Sequence, residues 1–138
     1  MLFRSPIYDP QARPGDNLYT NSAVALDIDS GKLKWHFQYT PNDSWDYDEN
    51  GIHLLYDQVI EGQPRKVVAH FGRNGFLYTL DRANGSFIKS GQYVNDLNWT
   101  KGLDPKTGKP LEYDPKLDVQ KYVSEARDRK STRLNSSH

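Results

Sequence analysis

The sequence predicts an all-β protein, and within that class part of a β-propeller. Three observations carry the prediction. Apolar residues alternate with polar ones at period two, as in half-buried strands. An Asp-x-x-x-Gly turn recurs, with Asp27 and Gly31 followed 54 positions later by Asp81 and Gly85. Self-similarity at a period near 50 points to repeated sheet units, the blades of a propeller. No stretch sustains a helical period.

The elements follow in order. Residues 7–17, IYDPQARPGDN, concentrate Pro, Gly, Asp and Asn and predict a loop in which Arg13 and Asp16 serve as turn and scaffold residues. Val24, Leu26 and Ile28 then alternate on one face of a strand. Asp29-Ser30-Gly31 predicts a tight turn, with Gly31 free to take positive φ. Beyond it Leu33, Trp35 and Phe37 alternate with Lys32, Lys34 and His36, which predicts the return strand of a hairpin with the apolar set facing inward. The device repeats at 76–87, where Phe76, Tyr78 and Leu80 alternate ahead of Asn84-Gly85. Between the repeats, 54–60 leads into a strand and RKVVAHF at 65–71 reads as another. A third turn, DPKTG, spans 104–108. About two propeller blades are expected, too few to close a ring, so sheet faces are left exposed.

Composition narrows the function classes. Formal net charge is zero, so there is no electrostatic footprint for nucleic acid or an anionic membrane. No apolar run approaches the length of a membrane span. With no cysteine, the redox compartment cannot be read from the chain. Both ends read as foreign. Residues 128–138, DRKSTRLNSSH, match the translation of a common DNA-sequencing adapter, and LFRS at 2–5 matches the complementary adapter end. The expected organisation is therefore a tail at 1–5, a partial propeller at 6–127 and a tail at 128–138. Setting the tails aside removes four basic residues and one acidic residue, leaving 14 Lys+Arg and 17 Asp+Glu and a net charge of −3.

Chemistry concentrates in NDSWDYDENG, 42–51, which holds Asp43, Asp46, Asp48 and Glu49. Three readings stand. The first is a solvated acidic loop, although Trp45 and Tyr47 interleave with the acids and would anchor it. The second is an EF-hand-like calcium loop, with Asp46, Asp48, Asn50, Gly51 and Asp57 at positions 1, 3, 5, 6 and 12. It lacks flanking helices and has Asp where a bidentate Glu belongs. The third is a catalytic metal site, because Asp46 and Asp48 can both reach a hard cation if the loop is bent. Taken alone, Arg73 reads as a surface cation at a strand end. His36, His53 and His70 lack ligand spacing and read as satisfied surface or core imidazoles.

RPGDN at 13–17, ALDIDSGKLKWHFQ at 25–38, TPNDSWDYD at 40–48, RNGFLYTLDRANG at 73–85 and LDPKTGKP at 103–110 together resemble the methanol/ethanol family of quinoprotein dehydrogenases. The resemblance covers essentially all of 6–127. It implies an eight-bladed quinoprotein propeller and oxidation of primary alcohols with pyrroloquinoline quinone (PQQ) and a metal ion. It also implies a periplasmic location, a cytochrome c as electron acceptor and a small alcohol as substrate, and it is compatible with a homodimer of the complete enzyme. Asp46 matches the family's catalytic aspartate and metal ligand, taking the hydroxyl proton while hydride passes to the quinone. Arg73 matches the arginine that bonds the quinone oxygens. Asp48 completes the DYD signature of lanthanide-dependent members, with calcium as the alternative metal. Gly31 and Trp35 resemble the repeat in which glycine and tryptophan lock adjacent blades. One departure is Gly72, where related enzymes often place an acid before the arginine. The family's metal-binding Glu and Asn and its paired cysteines match nothing here, so the segment alone is not expected to turn over substrate. The competing class is a non-catalytic propeller scaffold, which would have no reason to keep Asp46, Asp48 and Arg73 together.

Overall fold

The structure is a computed structural model and describes residues 13–113. The two expected tails lie outside the described residues. Six strands form: β1 (Ser22–Leu26), β2 (Leu33–Gln38), β3 (His53–Ile60), β4 (Gln63–Phe71), β5 (Phe76–Asp81) and β6 (Phe87–Gln92). β1 and β2 make a two-stranded antiparallel sheet, and β3-β4-β5-β6 make a four-stranded antiparallel meander. The described residues are thus one complete blade and a two-stranded piece of the blade before it, with no helix among them. The all-β, partial-propeller expectation holds.

The core lies where the two sheets meet. Phe76, Tyr78 and Leu80 are buried on one face of β5, as their alternation predicts. Their cross-strand partners on β4 include Val68 and His70. From the other sheet Phe37 meets Tyr78 at 5.8 Å between ring centroids, and Tyr39, just past β2, meets it at 4.8 Å. Such offset pairs contribute about 0.5–1.5 kcal/mol each beyond the area they bury.

On β1–β2 the inward face needs a correction. Trp35 and Phe37 pack against the core, opposite Ala25 and Ala23, but Leu33 is 44% exposed. A register shift between Ala25 and Leu26 pairs Leu33 with Leu26 at the open end of the sheet, away from the core. Val24, Leu26 and Ile28 lie on the outer side and are exposed, so it is the small Ala23 that admits the aromatic rings.

The three turns share one construction. The carboxylates of Asp27, Asp81 and Asp104 accept backbone N–H bonds from residues two or three positions on, and the backbone N–H of Gly31, Gly85 and Gly108 closes each turn onto the Asp carbonyl. All three glycines have positive φ, 68°, 74° and 69°. Trp35 lies flat on the second turn. Its Nε1–H donates to Arg82 O at 3.1 Å, and a Cβ on Gly85 would stand 2.6 Å from its ring. Phe87 covers Gly108 in the same way. The lock therefore runs from the strand after one turn to the glycine of the next: Trp35 seats on Gly85, while nothing lies within 4 Å of a Cβ at Gly31.

Candidate functional site

The acidic loop 42–51 crosses from the two-stranded sheet to the four-stranded one, and its four acids divide into two kinds. Asp43 is buried. It accepts N–H bonds from Trp45 (2.8 Å), Tyr47 (2.8 Å) and the side-chain amide of Asn21 (2.9 Å). Burial raises its pKa above the ordinary carboxylate value, opposed by the N–H bonds from Trp45 and Tyr47. The side chain of Glu49 is 1% exposed and accepts from His70 Nε2 (2.9 Å), Arg73 N (2.8 Å) and Asn74 N (3.3 Å).

Asp46 and Asp48 are the opposite kind. Both sit in the left-handed region, at φ 60° and 43°, so the loop is bent at each of them. Asp46 is half-buried and Asp48 exposed, and neither carboxylate has a hydrogen bond or ion pair among the described residues. Arg73 follows the same pattern. Its backbone is held in the turn between β4 and β5, while its exposed guanidinium has no partner among the described residues. Burial, then the charges of Asp43 and Glu49, push the Tyr47 phenol up to about 12. Tyr47 anchors the loop on Trp99, with ring centroids 6.2 Å apart. Trp45 is 37% exposed, less well covered than Tyr47.

The EF-hand reading fails on placement. Asp57 lies mid-strand in β3, not in the loop, and pairs with Arg82 at 2.9 Å. No group of three or more His, Asp or Glu among the described residues is arranged to hold a metal. Asp46 and Asp48 can supply only part of a ligand set.

Sequence reasoning missed the support beneath the site. His53 and His70 are opposite each other on β3 and β4 and stack at 4.1 Å. The Tyr39 hydroxyl lies 2.9 Å from His53 Nε2. Burial, then the neighbouring His70, holds His53 below the ordinary imidazole range. The Asn21 amide clasps the loop at both ends, donating to Asp43 and accepting from Glu49 N at 3.1 Å. The departure at Gly72 acquires a reason: a Cβ there would stand 2.7 Å from Asn74 Oδ1 and 3.2 Å from Glu49 Oε1. A side chain at 72 would have to displace the Asn74 amide, and the backbone N–H of Arg73 is held by Glu49, 24 positions upstream.

Comparison with known proteins agrees with this frame. The family described as "Glucose/ethanol/alcohol dehydrogenase, beta-propeller domain", the PQQ family, matches residues 5–90. The quinohemoprotein alcohol dehydrogenase of Comamonas testosteroni is 53% identical over 97 residues, which are 70% of this chain and 13% of that protein. Its crystal structure superposes with a TM-score of 0.66 over 70% of this chain and 14% of its own. The 1-butanol dehydrogenase (cytochrome c) of Thauera butanivorans is 46% identical over 98 residues, 71% of this chain and 14% of that protein. A europium-containing methanol dehydrogenase is 38% identical with a TM-score of 0.66, covering 70% of this chain and 17% of that one. The chain spans well under a fifth of the length of these relatives. Sheet topology, matched family and relatives agree: the chain belongs to the PQQ-dependent alcohol dehydrogenase family of β-propellers.

Proposed function

We propose that this segment forms one side of the active site of a periplasmic PQQ-dependent dehydrogenase that oxidises primary alcohols of the methanol/ethanol class. Electrons then pass to a cytochrome c. The observation that carries the reading is the division of labour among the charged groups. Asp43 and Glu49 are consumed by backbone donors, while the charged ends of Asp46, Asp48 and Arg73 have no hydrogen bond or ion pair among the described residues. Backbone held in the left-handed region at two successive acids costs about 1–3 kcal/mol each and is tolerated where a site uses it.

The residues present fit the cofactor and metal that such an enzyme requires. Asp46 and Asp48 offer only carboxylate oxygens, which suit a hard cation, calcium or a lanthanide. The Arg73 guanidinium offers a planar fork of donors to an oxygen edge that gains negative charge. PQQ, when bound with its metal, supplies the electrophilic carbon that accepts the alcohol's C–H hydride. Asp46 takes the hydroxyl proton onto a carboxylate oxygen, so the alcohol leaves as an aldehyde. Asp48 adds a second anionic ligand. Because Coulomb attraction scales with ion charge, it favours a trivalent lanthanide over calcium. A europium-containing methanol dehydrogenase among the relatives supports that preference. The remaining ligands and the substrate walls belong to other parts of the complete protein.

The test is dye-linked alcohol oxidation by the complete enzyme carrying this segment, with PQQ and either lanthanum or calcium. Asp46→Asn should abolish turnover with both metals, since an amide cannot take the hydroxyl proton. Asp48→Ala should weaken lanthanum-supported activity far more than calcium-supported activity. Retained activity in Asp46→Asn removes the base assignment. Full calcium activity, unchanged in Asp48→Ala and not exceeded with lanthanum, reduces Asp48 to a solvated loop acid.

A further inference from the structure

The geometry points to Glu49 as the positioning residue that couples the metal half of the site to the cofactor half, acting through Arg73. The inference rests on the reading of Arg73 as the cofactor-binding arginine and deepens it. Glu49 is the residue after Asp48, and its backbone N–H is tied to Asn21 Oδ1 at 3.1 Å, the same amide that holds Asp43. Its side chain turns inward instead of joining the free acids. One carboxylate oxygen accepts from Arg73 N at 2.8 Å and from His70 Nε2 at 2.9 Å, and the other accepts from Asn74 N at 3.3 Å. The two backbone donors belong to the β4–β5 turn that presents Arg73. A shift of the Asp46–Asp48 loop is therefore passed directly to the base of the arginine.

The rest of the surroundings leave Glu49 as the side chain that ties the acidic loop to this turn. Asn74 is fixed by other partners: its Nδ2 donates to Tyr78 Oη (2.8 Å) and Thr40 Oγ1 (2.9 Å), and its carbonyl accepts from Trp99 Nε1 (2.7 Å). Arg73 N has Glu49 as its acceptor. His70, 1% exposed and stacked on His53, backs the carboxylate from behind and limits its rotamers. Loss of the carboxylate would leave buried donors unmatched beside Arg73, and the turn would relax toward water.

The experiment is a double-mutant cycle on the complete apoenzyme carrying this segment, read as PQQ affinity by quenching of tryptophan fluorescence at fixed lanthanum. Arg73→Ala should weaken PQQ binding. Glu49→Ala should weaken it at least about tenfold, the usual cost of removing an outer positioning partner. The double variant should bind no more weakly than Arg73→Ala alone, because Glu49 acts through that arginine. Loss in Arg73→Ala with unchanged affinity in Glu49→Ala overturns the positioning role and leaves the reading of Arg73 intact. Additive losses overturn it as well, since Glu49 would then be acting elsewhere. No effect of Arg73→Ala overturns the cofactor reading itself and the inference with it. If Glu49→Ala does not fold, the same cycle with Glu49→Gln, which keeps one acceptor oxygen, should show a loss of about threefold with the same non-additivity; unchanged affinity there overturns the proposal.

Discussion

At the scale of single residues, neighbouring acids of one loop serve opposite purposes, and burial separates them. Asp43 organises the loop because its ionised form can accept three N–H bonds at once. Asp43→Asn keeps the shape but turns one acceptor into a donor that faces other donors. It should cost about 1–3 kcal/mol in chemical denaturation of the complete enzyme and lower its affinity for the proposed metal ion, even though Asp43 is not one of the proposed ligands. The titrating groups also have opposing signs. His53 is held below its ordinary 6.5, so its contribution is present above that pH and is lost as pH falls through the folded value. Asp27 and Asp104 are lowered by N–H and hydroxyl bonds, from Ser30 and Thr107 foremost; their contribution is present above 3.8 and lost as pH falls through the folded values. Asp43 is raised, so its contribution is greatest below 3.8 and declines as pH rises through the folded value. Acidification from neutral pH should therefore destabilise first through His53. His53→Gln should flatten the fall in denaturation midpoint just below pH 6.5; an unchanged slope would show that His53 is not the group responsible.

At the scale of elements, the turns were readable in advance and their locks were not. Period-two alternation finds β1, β2 and β5, strand-favouring residues find β4, and the Asp-x-x-x-Gly spacing finds the turns, because these signals are local. Asp46 and Asp48 stand out for the same reason, as a short acidic motif, whereas Arg73 reads as a surface cation until the family resemblance assigns it a role. The support was invisible because it spans long separations. Trp35 reaches Arg82 across 47 positions, Glu49 reaches His70 across 21, and Asn21 reaches Glu49 across 28. Leu33 was misread because alternation gives a face but not the register shift that carries that residue to the sheet's open end. The seating of Trp35 on Gly85 makes a comparison of glycines informative. In this chain Gly31→Ala meets open space and should cost only the left-handed penalty, about 1–2 kcal/mol. Gly85→Ala carries that penalty and must also displace the indole, and should cost about 2–4 kcal/mol in all. Equal midpoint shifts for the two variants of this chain would show that the indole does not hold the turn.

At the scale of the whole molecule, the repeat predicts a ring, but the described residues hold one blade and a piece of its neighbour, and that leaves apolar surface uncovered. Leu54, Tyr56 and Phe71 lie on the face of the four-stranded sheet turned away from Phe76, Tyr78 and Leu80. Leu54 is 52% and Phe71 54% exposed. On the other sheet Val24, Leu26 and Ile28 are open too. A monomeric protein rarely leaves such strips bare, and in a propeller each blade covers the next. The same substitution should therefore have different consequences in two settings. In the 138-residue chain, Phe71→Ser removes a half-exposed ring and its edge contact with Tyr93 (5.4 Å between centroids), and should cost about 1–2 kcal/mol. In the complete enzyme the ring should be buried between blades, and the change should cost about 3–5 kcal/mol, the range for removing a core aromatic. Fluorescence of a hydrophobic dye gives a second measure: strong binding to the chain and little to the complete enzyme. Equal costs in the two settings, with weak dye binding in both, would mean that this face is not a blade contact and that the ring is built some other way.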